Sequence, residues 1–186
     1  IIDISKIEAG ELILSKAPLD LDHIEKKVLE TYSMVCEEKG LAFSLEYEKN
    51  IEGSIEVDPF RIEELVSSLI DNAVKFTENG FVKVFMGLKK NGDFVTLTLS
   101  VKDSGEGVSK EDLKKIFKPF YKVEKVNKLQ KGLGLGLSLV DAVVTQMKGE
   151  IDVVSEVKKG TEIKIRIPNI KIIEGVKALK FEKEKY

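Results

Sequence analysis

The stretch FVKVFMGLKKNGDFVTLTLSVK, residues 81–102, decides the fold class. Two apolar-rich runs, Phe81–Leu88 and Phe94–Lys102, flank a turn that contains Asn91-Gly92. That dipeptide accepts the positive φ values of a tight hairpin turn. In the second run Val95, Leu97, Leu99 and Val101 fall on one side, and Thr96, Thr98 and Ser100 on the other. A period of two is that of a strand with one buried face. Strands joined by a hairpin are antiparallel, so this stretch argues against an all-parallel, doubly wound sheet.

Outward from the hairpin, helices and short strands interleave. Before it, Asp58 is a predicted N-cap and Pro59 stands at the first helical position, where its missing N–H costs nothing. The helix it opens runs to about Phe76, with Ile62, Leu65, Val66, Leu69, Ile70 and Ala73 at i, i+3, i+4 spacing. Further upstream the spacing predicts a helix over Leu21–Lys39 stopped by Gly40, and strands at Glu11–Leu14, Leu41–Glu48 and Ile55–Val57. Residues 1–10 have helical spacing but open without an N-cap, so more chain is expected ahead of Ile1. After the hairpin, Ser109 and Asp112 resemble a capping box for a short helix to Phe117. Lys118–Lys131 has no clear period. A helix is expected at Leu137–Lys148, ended by Gly149, then a hairpin of Glu150–Ser155 and Thr161–Ile167. From Asn169 the chain is charged, with helical spacing at Ile173, Val176 and Leu179. Together these elements predict an α+β fold: a two-layer α/β sandwich whose mixed, mainly antiparallel sheet carries helices on one face.

Composition narrows the function classes. With 186 residues, 42% of them hydrophobic, the chain has one domain's worth of core material. Its net charge of −2 argues against nonspecific nucleic-acid binding. One cysteine, Cys36, allows no intrachain disulfide and no Cys-based zinc site, and one histidine, His23, excludes any mechanism needing two. No apolar run approaches the length of a membrane span, and a cytoplasmic setting is expected, compatible with membrane anchorage of a longer protein.

Two glycine clusters stand out. Asp103-Ser104-Gly105-Glu106-Gly107 ends a strand, and Gly132-Leu133-Gly134-Leu135-Gly136 opens a helix. Neither fits the dinucleotide fingerprint, and Gly-Lys never occurs, which excludes a P-loop. The second cluster still has the physics of phosphate binding, because glycines admit an anion close to the backbone and a helix N-terminus offers free N–H groups. A tight helix entry packed on the sheet would use the same residues. On the helix after Pro59, Ser68, Asn72 and Lys75 form a polar stripe beside the apolar one. An amide oxygen suits Mg²⁺ and an ammonium suits phosphate, although a solvated helix face has the same composition. Asp103 at a strand end suits the exocyclic amine of a base, although a turn aspartate is also common there.

In order along the chain, Asn72-x-x-Lys75-Phe76-Thr77, then Asp103-x-Gly105-x-Gly107, then Phe117-Lys118-Pro119-Phe120, then the Gly132–Gly136 cluster resemble the ATP-binding catalytic domain of sensor histidine kinases. The resemblance covers about residues 1–169 and implies a catalytic domain over 11–169 with a charged tail at 170–186. Residues 1–10 look like the last turns of the dimerisation helix. The resemblance implies that Asn72 coordinates Mg²⁺, Lys75 touches phosphate and Phe76 flanks the base. Asp103 would receive the adenine amine, with Gly105, Gly107 and Val108 forming the turn beneath the ring. Thr161 would add a hydroxyl near adenine. Tyr121 and Lys122 would belong to a mobile lid, Lys118–Lys131, hinged by Gly132, Gly134 and Gly136 at the phosphates, with Leu133 and Leu135 also among the ATP-binding residues. Asn72, Lys75 and Lys122 would be the groups nearest the chemistry. Implied partners are ATP, the dimerisation and phosphoacceptor domain, a response-regulator receiver domain, and a second copy in a full-length homodimer.

The departures are instructive. Ser68 stands where these kinases usually carry a second Asn, Lys122 where an Arg is frequent, and Leu133 where Thr or Ser is frequent. His23 lacks the acidic residue and following Pro of an acceptor histidine, so it reads as a surface residue, and the acceptor is expected on another domain. Gyrase- and chaperone-type ATPases resemble the same motifs but place a Glu one helical turn before the Asn as general base. Ser68 occupies that position. A non-catalytic nucleotide-binding module is the remaining alternative.

Overall fold

A computed structural model describes residues 13–122 and 133–174. Among them are strands β1 (Ala17–Leu19), β2 (Leu41–Lys49), β3 (Ser54–Val57), β4 (Gly80–Asn91), β5 (Phe94–Asp103), β6 (Glu150–Glu156) and β7 (Gly160–Ile173), and helices α1 (Leu21–Lys39), α2 (Pro59–Phe76), α3 (Lys110–Leu113) and α4 (Gly136–Gln146). The strands form one sheet in the order β1-β3-β7-β5-β4-β2, with β6 also on β7. Every pairing is antiparallel except β2 with β4. That pair is parallel because the chain crosses from one strand to the other by way of β3 and α2. The mixed, mainly antiparallel sheet of the two-layer α+β sandwich is thus the observed architecture.

The core lies between one face of the sheet and the helices. Val82, Val84, Met86 and Leu88 of β4 alternate inward, as do Val95, Leu97, Leu99 and Val101 of β5 and Ile163, Ile165 and Ile167 of β7. Against them pack Ile24, Val28 and Tyr32 of α1, Ile62, Leu65, Leu69 and Ile70 of α2, and Leu139, Val140 and Val143 of α4. Each such side chain removed from water contributes about 1.5–3 kcal/mol. The caps are those expected. Asp58 accepts from the Arg61 N–H at 3.1 Å, and Gly40 ends α1 in the left-handed region with φ 72°.

Three expectations need correction. Ile13 and Leu14 are not in a strand. The first strand is Ala17–Leu19, where Pro18 is tolerated because β1 is an edge strand and needs no donor on its outer side. The helix after Ser109 spans only Lys110–Leu113. The hairpin strand β7 continues past Asn169 to Ile173, pairing with Phe94 and Val95 of β5 and with Ser54 and Ile55 of β3. Residues 170–173 therefore belong to the sheet, and buried Ile170 shows why: its apolar contacts outweigh the local helical spacing. The expected helix over residues 1–10, residues 11 and 12, the stretch 123–132 and the tail from 175 lie outside the described residues.

Candidate functional site

Helix α2 supplies the first wall. Its apolar stripe faces the core, which leaves Ser68, Asn72 and Lys75 half-buried along one edge. The C-terminal turn is held firmly. The Thr77 hydroxyl, fully buried, donates to the Ala73 carbonyl at 2.7 Å. From α1, the Lys39 ammonium donates to the Val74 carbonyl, and the Tyr32 hydroxyl donates to Asp71 at 2.8 Å. The Lys75 ammonium lies over the Phe76 ring, 4.9 Å from its centroid. Burial pushes the Lys75 pKa down, and the positive charge of Lys122 pushes it further. Two cations that disfavour one another in this way mark a place where an anion is stabilised.

The second wall is the end of β5. Asp103 is only 8% exposed. Its Oδ1 accepts the Gly105 N–H at 2.8 Å and the Thr161 N–H at 3.3 Å, while Oδ2 has no hydrogen-bond partner among the described residues. Burial raises the carboxyl pKa, and the two N–H groups oppose that rise in part. A buried carboxylate oxygen without a protein donor is costly unless an outside donor meets it. Gly105 sits so close to α2 that a Cβ there would strike the Phe76 carbonyl and lie 2.9 Å from the Thr77 hydroxyl oxygen. Gly107 has φ 66°, and a Cβ would strike the Glu156 carbonyl. The Glu106 N–H donates to the Phe76 carbonyl at 3.2 Å, which ties the turn to the end of α2. Val108 and Thr161 are both half-buried beside it.

The third wall is the entry to α4. A Cβ on Gly136 would lie 3.7 Å from the Ser68 Cβ and 3.8 Å from the Asn72 Nδ2, so the helix begins against the polar stripe of α2. No side chain caps α4 at Leu135. Among the described residues its first N–H groups have no side-chain acceptor, which suits an anionic ligand beside Asn72. Phe120 donates its N–H to the Gly134 carbonyl at 3.0 Å, and Tyr121 donates its hydroxyl to Asp112 at 2.6 Å. Leu133 is 73% exposed. Of the expected lid, Lys118–Lys122 is described, with Lys122 exposed, whereas residues 123–131 and Gly132 lie outside the described residues.

The structure thus gathers the ends of α2 and β5 and the starts of β7 and α4 near one another. Sequence reading missed Ser155. Its hydroxyl accepts the Val108 N–H at 2.8 Å, donates to the Gly160 carbonyl at 3.0 Å and lies 2.8 Å from the Thr161 Oγ1. A serine in an alternating strand gives no local signal, because its role depends on a loop 47 residues away. His23 is exposed on α1. Glu64, two turns before Asn72, is bound to Arg61 at 2.7 Å. No group of three His, Cys, Asp or Glu able to hold a metal occurs among the described residues, and none of the described helices is long and apolar enough to cross a membrane.

Residues 57–171 match the family described as "Histidine kinase-, DNA gyrase B-, and HSP90-like ATPase". The chain belongs to that family. Within it, the chain sides with the sensor kinases. It is 32% identical over 171 residues to the autoinducer 2 sensor kinase/phosphatase LuxQ of Vibrio vulnificus, covering 90% of this chain and 20% of that protein. It is 30% identical over 182 residues to the signal transduction histidine-protein kinase BarA of Escherichia coli, covering 94% of this chain and 20% of that protein. The chain therefore spans about a fifth of the length of these relatives. Full-length ShkA in complex with AMPPNP superposes with a TM-score of 0.72 at 28% identity, covering 90% of this chain and 34% of that one. Histidine kinase AdeS of Acinetobacter baumannii superposes with a TM-score of 0.64 at 26% identity, covering 89% of this chain and 73% of that one. Family, relatives and structural neighbours together make the chain a catalytic ATP-binding domain of the histidine-kinase kind.

Proposed function

We propose that this chain positions Mg·ATP for transfer of the γ-phosphoryl group to a histidine on a separate helical domain, in two-component signalling. The observation that carries the reading is the approach of Gly136 to Asn72, which sets the start of α4 beside an amide on the same helix as Lys75. Adenine is held at Asp103, whose free Oδ2 accepts the exocyclic amine, with Thr161 alongside and Gly105, Gly107 and Val108 beneath the ring. Phe76 flanks the base. The triphosphate runs toward α4, where the N–H groups from Leu135 and Gly136 onward meet its oxygens, with Leu133 and Gly134 leading in. Lys75 and Lys122 offset its negative charge, and Tyr121 fixes the start of the lid.

The donor set fits magnesium. Asn72 offers one hard oxygen and no carboxylate cage surrounds it, which suits an ion held largely by phosphate oxygens and water. Bound there, Mg²⁺ supplies charge neutralisation at the phosphates. The protein's share is placement and electrostatics, which dominate phosphoryl transfer. The histidine nitrogen forms the new bond to the γ-phosphorus, the bond to the bridging oxygen breaks, and ADP leaves. The chain's only histidine, His23, is exposed on α1 and outside the site, so the acceptor comes from the dimerisation domain of a full-length homodimer, and a receiver domain takes the phosphoryl group onward.

The hydrolytic alternative is disfavoured by Ser68. A hydroxyl there cannot take a proton from water at neutral pH, and Glu64 is two turns away and paired with Arg61. The test joins the chain to an acceptor-histidine helical domain and follows label from γ-³²P-ATP. Acid-labile, base-stable label on the added domain is expected. Label on His23, or rapid phosphate release with no label on protein, would overturn the proposal.

A further inference from the structure

Around Asp103, three hydroxyl and carbonyl groups share too few protons to be arranged in more than one way. The Ser155 hydroxyl has one hydrogen and two lone pairs. It accepts the Val108 N–H at 2.8 Å, and it lies 3.0 Å from the Gly160 carbonyl, which can only accept. Its single proton therefore goes to Gly160. The remaining contact, 2.8 Å to the Thr161 Oγ1, must then be donated by Thr161. With its proton committed to Ser155, Thr161 offers only lone pairs to a ligand. Beside it the Asp103 Oδ1 is taken by the Gly105 and Thr161 N–H groups, and Oδ2 is also an acceptor.

We propose that Ser155 is a specificity-determining positioning residue, whose hydroxyl fixes the proton direction at Thr161 so that the base pocket presents two acceptors to the exocyclic amine of a 6-aminopurine. This rests on the nucleotide reading above. Without the Ser155 hydroxyl, the Thr161 hydroxyl loses its partner and rotates freely, so its lone pairs are no longer held toward the amine. Ser155 also links the Asp103–Ser109 loop to the β6–β7 turn, so a purely structural role must be told apart from a directional one.

Two triphosphates separate these roles. ATP carries the amine, and purine riboside triphosphate lacks it while keeping the ring, sugar and phosphates. For Ser155→Ala in the full chain, Mg·ATP affinity is expected to fall about three- to tenfold, the scale of one hydrogen bond lost. Affinity for the amine-free triphosphate should change less than about twofold. Ser155→Thr, which restores a hydroxyl, should recover ATP binding. If Ser155→Ala does not fold, Ser155→Cys, whose thiol is only a weak acceptor, reads the same difference. Equal weakening of both ligands, or no weakening of either, overturns the directional role. Failure of the unsubstituted chain to bind ATP overturns the nucleotide reading and this inference with it.

Discussion

Replacing Asp103 by Asn separates the site's chemistry from its stability. The side chain is 8% exposed, and its Oδ1 already accepts the Gly105 and Thr161 N–H groups. In Asp103→Asn the amide oxygen keeps those two bonds, which turns the amide NH₂ to the place of Oδ2. A charge-assisted acceptor is thus replaced by a donor where adenine also presents a donor. Losing such a bond and gaining a repulsion corresponds to about 2–3 kcal/mol, or roughly 30- to 150-fold weaker ATP binding. Guanine presents a carbonyl at that position, so GTP affinity should hold or rise. The fold responds in the opposite sense. Burial raises the Asp103 pKa, so the folded chain binds that proton more tightly than the unfolded chain does. Its carboxylate therefore destabilises the fold at neutral pH, and the penalty fades as pH falls through the raised value. Asp103→Asn should melt no lower than the parent at pH 7 and should lose this acid-side component. Calorimetric titration with ATP and GTP, with thermal unfolding across pH, reads both. Unchanged ATP affinity in a folded Asp103→Asn chain would refute the reasoning.

Further expectations follow from the other walls. Asn72→Ala should leave thermal stability nearly unchanged and abolish the Mg²⁺-dependent part of ATP binding, read by titration with and without EDTA. Gly107→Ala should destabilise the fold by a few kcal/mol in denaturant unfolding, because its φ of 66° and the Glu156 carbonyl both reject a Cβ. Lys122→Ala should raise the Lys75 pKa part of the way toward an ordinary lysine's, since burial of Lys75 persists, as read by NMR titration of its Cε resonance.

Much of this architecture is legible in local pattern. Asp58-Pro59 and Gly40 fix helix ends by backbone chemistry, and Gly92, with φ 63°, fixes the central hairpin, whose loop is Gly92-Asp93 because Asn91 still pairs with Phe94 in the strand; α1, α2, β4 and β5 follow directly. The parallel pairing of β2 with β4 is not legible, since nothing in either strand records its neighbour. Residues 170–173 read in sequence as the opening of a charged tail and become strand because β3 and β5 flank them. In the site, Asn72, Lys75, Asp103 and the glycines carry motif signals. The grip of Lys39 and Tyr32 on α2, and the Ser155 relay, depend on residues 35–47 positions apart and appear only in three dimensions.

The central claim is that one nucleotide bridges Asp103 and the α2–α4 junction. Backbone amide shifts of the labelled chain during titration with Mg·ATP test it most directly. Saturable shifts of Gly105, Thr161, Asn72 and Gly136 with one shared affinity are predicted, and GTP should reproduce them only weakly. Absence of saturable shifts, or shifts confined to one wall while the other stays still, would contradict it.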